Sequence, residues 1–254
     1  MKGYERKKTN MERIIAVINQ KGGVGKTTTV MNVGAGLHMA GKRVLMIDLD
    51  SQGSLTMACG IVADGNASTY EFMTRGANEA IKTLQNGCDL LPADDRLATI
   101  NMHSSAELLK QSLTGIEKKY DYILIDCAPT LGMLTLNALT ACNEVFVTMQ
   151  AEYMSLLGMA DLMNTIEVVQ KRLNPDCKLS AVIINQYDTR KKLHATVIDK
   201  IHEKYPDALM QSKIRNNVAV AEAPMMGKDI FEYDKNSNGA KDYEALVKEI
   251  IERE

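Results

Sequence analysis

The stretch Asn19-Gln20-Lys21-Gly22-Gly23-Val24-Gly25-Lys26-Thr27-Thr28-Thr29 decides the fold of this chain. An apolar run over 14–18 precedes it, and a helical pattern over 30–40 follows it. A glycine-rich loop between a strand and a helix directs its backbone N–H groups and the helix N-terminus at one anion. The order of strand, loop and helix therefore predicts a phosphate-binding loop.

The residue types in the loop suit a nucleoside triphosphate with magnesium. Glycines let the backbone curl without Cβ clashes. A lysine at position 26 supplies a point charge for the β- and γ-phosphates, and the hydroxyl at position 27 is the hard oxygen ligand that Mg²⁺ prefers. We expect the following residues to bind the nucleotide: Lys21, Gly22, Gly23, Val24, Gly25, Lys26, Thr27 and Thr28.

One position departs from the common pattern G-x-x-x-x-G-K-[ST]. That pattern places glycine at position 20, where this chain has Gln20, and a second lysine, Lys21, leads the loop instead. Lys26 fills the usual lysine position, so Lys21 is an extra cation whose role the pattern alone does not explain.

The composition describes a near-neutral globular chain. It has 254 residues, 45% hydrophobic residues and a net charge of −2, which allows one substantial α/β core. Its five cysteines include no C-x-x-C spacing, which favours the reducing cytoplasm and disfavours a disulfide framework or a zinc site. We expect residues 1–12 to form a basic disordered arm, with Met11 as an alternative start, and 13–254 to form one P-loop domain.

Apolar runs alternate with helical patterns along the whole chain. Continuous apolar strands are buried on both faces, which indicates a parallel sheet, and their alternation with helices indicates βαβ units. We therefore predict an α/β fold with a single doubly wound, mostly parallel sheet and helices on both faces. The predicted strands cover 14–18, 43–48, 88–92, 120–126, 144–149, 179–185 and 208–214, and the clearer helices cover 135–141, 153–173, 191–205 and 240–252; the stretch 97–118 reads as helical or mixed.

Polar side chains follow five of these strands and should meet at the carboxyl edge of the sheet. Asp126 ends an apolar run. This is the arrangement of a Walker B motif, in which a carboxylate at the end of a strand holds Mg²⁺. Asp48 and Asp50 end another strand, and one of them could organise the metal's water shell while the other orients the attacking water. The remaining clusters are the loop itself, 150–152 and 185–188.

At this point the sequence resembles the ParA/MinD superfamily of deviant Walker A ATPases, and most closely the Soj-type ParA proteins. The resemblance covers 13–252. It is carried by Lys21 to Thr28, with a lysine leading the loop, and by the segments 48–53, 125–129, 150–153, 222–224 and 233–240.

The resemblance implies an ATP-dependent dimerisation switch in DNA partitioning, with slow hydrolysis that a ParB-like partner stimulates. Two subunits would sandwich ATP and Mg²⁺, and Lys21 would reach the partner's phosphates. Asp50 would position the attacking water, and the metal site would comprise Thr27, Asp48 and Asp126. The family uses the regions of Asn185 and Asn217 for adenine. ATP-bound protein would associate with the nucleoid.

The DNA-binding residues are harder to transfer, because two family arginines are replaced by Asn216 and Ala219. DNA affinity depends mainly on phosphate contacts from basic side chains. The candidates on this chain for non-specific DNA binding are Arg190, Lys191, Lys192, Lys213 and Arg215.

Three alternative functions share this scaffold. A MinD-like cell-division protein would need a basic amphipathic C-terminal helix for membrane binding, and the polar face of 243–254 is mainly acidic. A ligase or kinase that passes phosphate to a small molecule would need a second substrate domain. An iron–sulfur carrier would need paired cysteines. We therefore expect no membrane association and favour the partitioning ATPase.

Overall fold

The computed structural model describes residues 12–63, 65, 67–101 and 103–254. Within these residues the chain folds around one sheet of eight strands. The strands are β1 (Arg13–Ile18), β2 (Val44–Leu49), β3 (Lys82–Thr83), β4 (Asp89–Leu91), β5 (Tyr122–Cys127), β6 (Glu144–Gln150), β7 (Lys178–Tyr187) and β8 (Leu209–Arg215).

Ten α-helices lie between and after these strands in the described part of the chain. They are α1 (Lys26–Met39), α2 (Ser54–Ala58), α3 (Thr69–Arg75), α4 (Leu108–Leu113), α5 (Met133–Ala141), α6 (Tyr153–Arg172), α7 (Lys192–Lys204), α8 (Val218–Glu222), α9 (Ile230–Asp234) and α10 (Asn238–Glu252).

The strand order across the sheet is β3-β4-β2-β5-β1-β6-β7-β8, which confirms the doubly wound arrangement. Neighbouring strands are parallel except for β3, which pairs antiparallel with β4 at the edge. The sequence analysis missed β3, because a strand of two residues has no apolar periodicity to read. The other seven strands overlap the predicted ones.

Two hydrophobic layers hold the sheet between its helices. Successive residues of β1 alternate between them: Ile15 and Val17 pack with α1 and α10, whereas Ala16 and Ile18 pack with the layer that includes α5 and α6. Every residue of β2 and β5 is buried. These strands therefore read as continuous apolar runs, as a two-faced parallel sheet requires.

The stretch 97–118 is the least regular part of the prediction. Among the described residues of this stretch only α4 is α-helical, because polar side chains before it bond to nearby backbone and compete with a helix. Asn101 accepts from the N–H of His103, and Ser105 accepts from the N–H of Glu107.

The C-terminal helix α10 packs as part of the core. Its apolar residues Tyr243, Leu246, Val247 and Ile250 are at most 5% exposed. This confirms that the apolar stripe of the helix is used for packing, and it leaves the mainly acidic face outside. In the described residues, no helix is both long and apolar enough to cross a membrane. The predicted basic arm, apart from residue 12, and the alternative start lie outside the described residues.

Candidate nucleotide-binding site

The glycine-rich loop joins the end of β1 to the start of α1. Gly23 and Gly25 have φ angles of 71° and 86°, in the left-handed region that residues with a Cβ seldom adopt. Gly25 is also the N-cap of α1, and no side chain bonds the first-turn N–H groups from that position. The first turn carries no acidic residue either. These N–H groups and the positive end of the helix are therefore available to bind an anion.

Asn185, near the carboxyl end of β7, supports the loop through hydrogen bonds from its side chain. Its Nδ2 donates to the carbonyl oxygen of Val24 at 2.8 Å and to the hydroxyl of Thr29 at 3.2 Å. A Cβ on Gly25 would lie 2.6 Å from the same nitrogen. Asn185 is therefore buried against the loop backbone, and its predicted contact with adenine stays a prediction.

Lys26 points along the inside of the loop. Its side chain is buried, and its Nζ lies 3.4 Å from the carbonyl oxygen of Lys21. Burial lowers the pKa of Lys26, while the nearby carboxylate of Asp126 acts in the opposite direction. A buried ammonium with one weak backbone partner gains from a phosphate neighbour, since a charge-assisted bond would replace lost hydration.

Thr27 and Asp126 form the centre of the candidate metal site. The Thr27 hydroxyl donates to Oδ2 of Asp126 at 2.7 Å, which joins the start of α1 to β5. Oδ1 of Asp126 is buried and has no hydrogen-bond partner. Buried carboxylate oxygens rarely stay unpaired, so this atom fits a magnesium ion or one of its water ligands.

Asp48 lies beside this pair, and both of its carboxylate oxygens accept hydrogen bonds from the segment that follows β2. Its Oδ2 accepts from the N–H and the hydroxyl of Thr56, at 2.8 and 2.7 Å, and its Oδ1 accepts from the N–H of Asp50 at 3.2 Å. The described residues contain no group of three or more His, Cys, Asp or Glu side chains arranged to hold a metal. A cation here therefore depends on a hydroxyl, one or two carboxylates and the ligand's own oxygens.

The two buried acids make the site electrostatically unfavourable without a cation. Burial raises the pKa of Asp126 well above its usual value, and the neighbouring Asp48 adds to the shift. Burial also raises the pKa of Asp48 to about 6, against the effect of its hydrogen bonds from Thr56. Both shifts have the direction expected when like charges share a poorly solvated space.

Asp50 stands at the start of the turn that follows β2. It is half-buried, and its Oδ1 accepts from the N–H of Gln52 at 3.0 Å. The bond from its own N–H to Asp48 fixes its backbone beside the metal centre. The water-orienting role expected for Asp50 stays a prediction.

Lys21 lies at the exposed front of the loop and contacts the end of β6. Its Nζ is 2.8 Å from Oε1 of Gln150 and 2.7 Å from Oε2 of Glu152. Gln150 donates to Oε1 of Gln186 at 2.6 Å, and Gln186 donates to the carbonyl oxygen of Gly23 at 3.1 Å. The sequence analysis placed Gln150, Glu152 and Gln186 at the site without giving them roles. Their only sequence signal was a polar residue directly after an apolar strand.

The five predicted clusters therefore meet at one edge of the sheet, as expected. The candidate DNA-binding residues gather at the same edge, near the ends of β7 and β8, where Tyr187 pairs with Arg215 in the strand register. Two of the five are already paired within the chain: Arg190 with Asp188 at 2.8 Å, and Arg215 with Asp242 at 2.6 Å. Lys191 and Lys192 are exposed, whereas Lys213 is half-buried and donates to the carbonyl oxygen of Gln211.

Asn217 has a local structural role at the N-cap of α8. Its side-chain oxygen accepts from the N–H of Val220 at 3.3 Å. A capping oxygen satisfies one of the free N–H groups at a helix start. The predicted adenine contact of Asn217 remains a prediction.

A cavity of about 550 Å³ lies at the opposite, amino edge of the sheet. Arg13 and Glu144 face each other in its lining and form an ion pair, and Arg253 donates to backbone oxygens and to Glu249. It contains no phosphate-binding loop. We place the nucleotide site at the carboxyl edge, because the loop, the buried lysine and the acids converge there.

Comparisons with known proteins agree with this geometry. A protein-family model described as "AAA domain" matches residues 12–179. The sporulation initiation inhibitor protein Soj of Bacillus subtilis is 42% identical over 94% of this chain and 98% of its own length. The chromosome partitioning protein ParA of Caulobacter vibrioides is 38% identical, with 96% of each chain covered.

A solved structure shares the fold over the same extent. It is cobyrinic acid a,c-diamide synthase from Mycobacterium smegmatis with a bound ATP analogue and magnesium. It is 33% identical to this chain, has a TM-score of 0.82 and is aligned over 96% of both chains.

The fold and the site together define a P-loop nucleotide-binding protein whose loop is led by an extra lysine. Its full-length similarity to Soj and ParA narrows the assignment. The chain belongs to the Soj-type ParA family, within the ParA/MinD superfamily of deviant Walker A ATPases.

Proposed function

We propose that this chain is a Mg-ATP-dependent dimerisation switch that hydrolyses ATP slowly and acts in DNA partitioning. The observation that carries the proposal is the contact of Thr27 with Asp126, which leaves a buried carboxylate oxygen unpaired directly below a phosphate-binding loop. Bound Mg-ATP would supply the reactive γ-phosphate and the positive charge that this oxygen lacks.

The predicted phosphate, metal and water-orienting residues each have a part in this proposal. Lys26 and the α1 N-terminus bind the phosphates, and Thr27, Asp48 and Asp126 form the metal site, Thr27 directly and the carboxylates directly or through water. Asp48 positions Asp50 through its backbone N–H, and Asp50 orients the attacking water. Lys21 acts on the phosphates of the second subunit.

Exposed apolar side chains near the carboxyl edge of the sheet support a face for the second subunit. They lie at or just before the starts of helices that follow the strands and are exposed by 42–71%. Exposed apolar surface commonly marks an interaction site when it is contiguous. A second copy with ATP in the interface would cover these side chains: Leu131, Tyr153, Met154, Leu157, Leu193 and Val218.

The partitioning role is inferred from the similarity of this chain to ParA of Caulobacter vibrioides. The dimer would bind DNA non-specifically at the ends of β7 and β8, which would place it on the nucleoid. We call the candidate DNA-binding residues there the basic corner: Arg190, Lys191, Lys192, Lys213 and Arg215. A ParB-like protein would stimulate hydrolysis and return the dimer to monomers. Dimerisation driven by γ-phosphate contacts is a population switch between two states.

The MinD-like alternative loses support. It needs the apolar face of the C-terminal helix for lipid, and that face of α10 is buried.

The similarity to a diamide synthase makes a ligase the second candidate. The identity to that synthase is 33%, which is lower than the 42% identity to Soj. Hydrolysis of ATP without any small-molecule acceptor would separate the ATPase from the ligase.

The direct test uses an Asp50→Ala variant, which retains the ATP-binding residues but loses the water-orienting carboxylate. Light scattering after gel filtration should show a dimer with Mg-ATP and a monomer with ADP. Adding duplex DNA at low salt should shift the dimer to a larger complex. A variant that stays monomeric with ATP would refute the switch, and a dimer that ignores DNA would refute the partitioning role.

A further inference from the structure

Lys21 is bound by its own chain. Its ammonium group contacts Gln150 and Glu152, which come directly after β6 of the same subunit, at 2.8 and 2.7 Å. The hydrogen bond to Lys21 lowers the pKa of the Glu152 carboxyl. Lys21 therefore has a charged partner within its own chain.

The same contacts reach the phosphate-binding loop through Gln186. This residue has a φ of 53°, and it is the only non-glycine residue with positive φ in the described part of the chain. Such a conformation is uncommon for a residue with a Cβ. It allows the Gln186 amide to bond both Gln150 and the carbonyl oxygen of Gly23. The two glutamines thus connect the site that holds Lys21 to the loop backbone.

We propose that Glu152 and Gln150 form a latch that holds Lys21 against its own sheet edge in the nucleotide-free subunit. This inference rests on the proposed function, because Lys21 leaves the latch when it exchanges the Glu152 carboxylate for a phosphate bound to the partner. Glu152 is a positioning residue that sets the ATP concentration at which subunits pair.

The exposure of the latch fits a reversible contact. The side chains of Lys21 and Glu152 are 45% and 49% exposed. Ion pairs this open to water are worth at most about fivefold in an equilibrium constant. A phosphate carries more charge than a carboxylate and offers more acceptor oxygens, so the exchange favours the dimer once ATP is bound.

The first experiment measures the latch in the nucleotide-free monomer. Brief acetylation with acetic anhydride, followed by mass spectrometry, reports how accessible each lysine is. Glu152→Gln should raise labelling of Lys21 by about twofold or more, in line with the loss of an exposed ion pair. Gln150→Ala should raise it as well. The control is Glu167→Gln, which removes another exposed ion pair of α6, the one with Lys171, and should leave Lys21 unchanged.

The second experiment measures the exchange. In the Asp50→Ala background, Glu152→Gln should lower the ATP concentration that gives half-maximal dimer. Each of the two latches that is lost should contribute a factor of about two to five. Glu167→Gln in the same background should not move that concentration. Glutamine keeps the size of glutamate, and residue 152 makes no side-chain cap bond to α6, so the helix start is preserved.

The outcomes separate the latch from the switch. Unchanged Lys21 labelling in Glu152→Gln overturns the latch while leaving the dimerisation switch intact. Increased labelling with an unchanged or higher ATP requirement overturns the exchange. If Asp50→Ala stays monomeric at saturating ATP with either residue at position 152, the proposed function fails, and the exchange fails with it.

Discussion

Asp48 and Asp126 occupy paired positions in the register of β2 and β5, and neither side chain is more than 1% exposed. Two buried carboxylates this close oppose each other's ionisation. The native protein therefore binds protons at this pair more tightly than the unfolded chain does. For Asp48, this contribution to stability is full below the unfolded pKa of about 3.9 and is lost as the pH rises through about 6, its folded pKa. Burial and the neighbouring Asp48 also raise the pKa of Asp126, so its contribution is lost in the same direction.

The first prediction is that Asp126→Asn stabilises the nucleotide-free protein. Removing a buried charge with an unpaired oxygen should raise stability by roughly 1–3 kcal/mol at pH 7.5. In a chain of this size, each kcal/mol of added stability raises Tm by about 2–4 °C. The gain should shrink as the pH falls toward 4, and the added stabilisation by Mg-ATP should disappear. Thermal unfolding across a pH series checks both effects.

A control with the opposite sign is available at Asp121. Its hydrogen bonds from Arg43 lower the pKa of this carboxyl, so its stabilising contribution is present at neutral pH and is lost on acidification. Asp121→Asn should therefore lower Tm at pH 7.5. Equal shifts in both variants would contradict the electrostatic explanation.

The second prediction concerns the support of the loop by Asn185. Asn185→Ala leaves the buried carbonyl of Val24 without this donor, which should cost about 1–3 kcal/mol of stability. It should also weaken ATP binding, because the loop backbone is no longer held. Asn174→Ala is the matched control, since Asn174 is equally buried but bonds the carbonyls of Leu139 and Cys142 instead. It should lose stability with little change in ATP affinity, as measured by calorimetry.

The third prediction separates the two lysines of the loop. Lys26 is buried inside the loop, whereas Lys21 is exposed at its front. Lys26→Ala should abolish nucleotide binding, because the phosphates lose their buried cation. Lys21→Ala should retain more binding and lose hydrolysis, which needs the second subunit. Fluorescent nucleotide titration and phosphate release measure these separately, and normal turnover in Lys21→Ala would contradict the role of the extra lysine.

The fourth prediction assigns DNA binding to the lysines of the basic corner. Each phosphate contact contributes about 0.9 to the slope of log affinity against log salt. Replacing Lys191 and Lys192 with alanine should therefore lower both DNA affinity and this slope. The double variant Glu167→Gln and Lys171→Gln removes an exposed ion pair of α6 that is neutral overall and lies outside the candidate DNA-binding residues, and it should leave the slope nearly unchanged. If the neutral-pair variant lost more DNA affinity than the double lysine variant, the DNA-binding surface would lie outside the basic corner.

Much of the site could be read from the sequence, because its signals are local. The glycines and lysines from 21 to 28 are contiguous, and their spacing alone specifies a loop between a strand and a helix. The apolar runs that end at Asp48 and Asp126 predicted buried parallel strands, and parallel strands bring their carboxyl ends to one edge. These features predicted the fold class and the edge of the sheet at which the loop, Asp48 and Asp126 meet.

What only the tertiary structure decided is the partner of each polar group. Asn185 donates to the loop backbone and Asn217 caps α8, two contacts that the sequence analysis did not predict. The adenine contacts of both residues stay predictions. Lys21 meets Glu152 across 131 residues of chain, a contact that no local pattern encodes. The sequence determines which backbone conformations and apolar faces form, since these follow from neighbouring residues. Hydrogen-bond partners depend on which chain ends the sheet brings together, and that becomes fixed only when the strands pack.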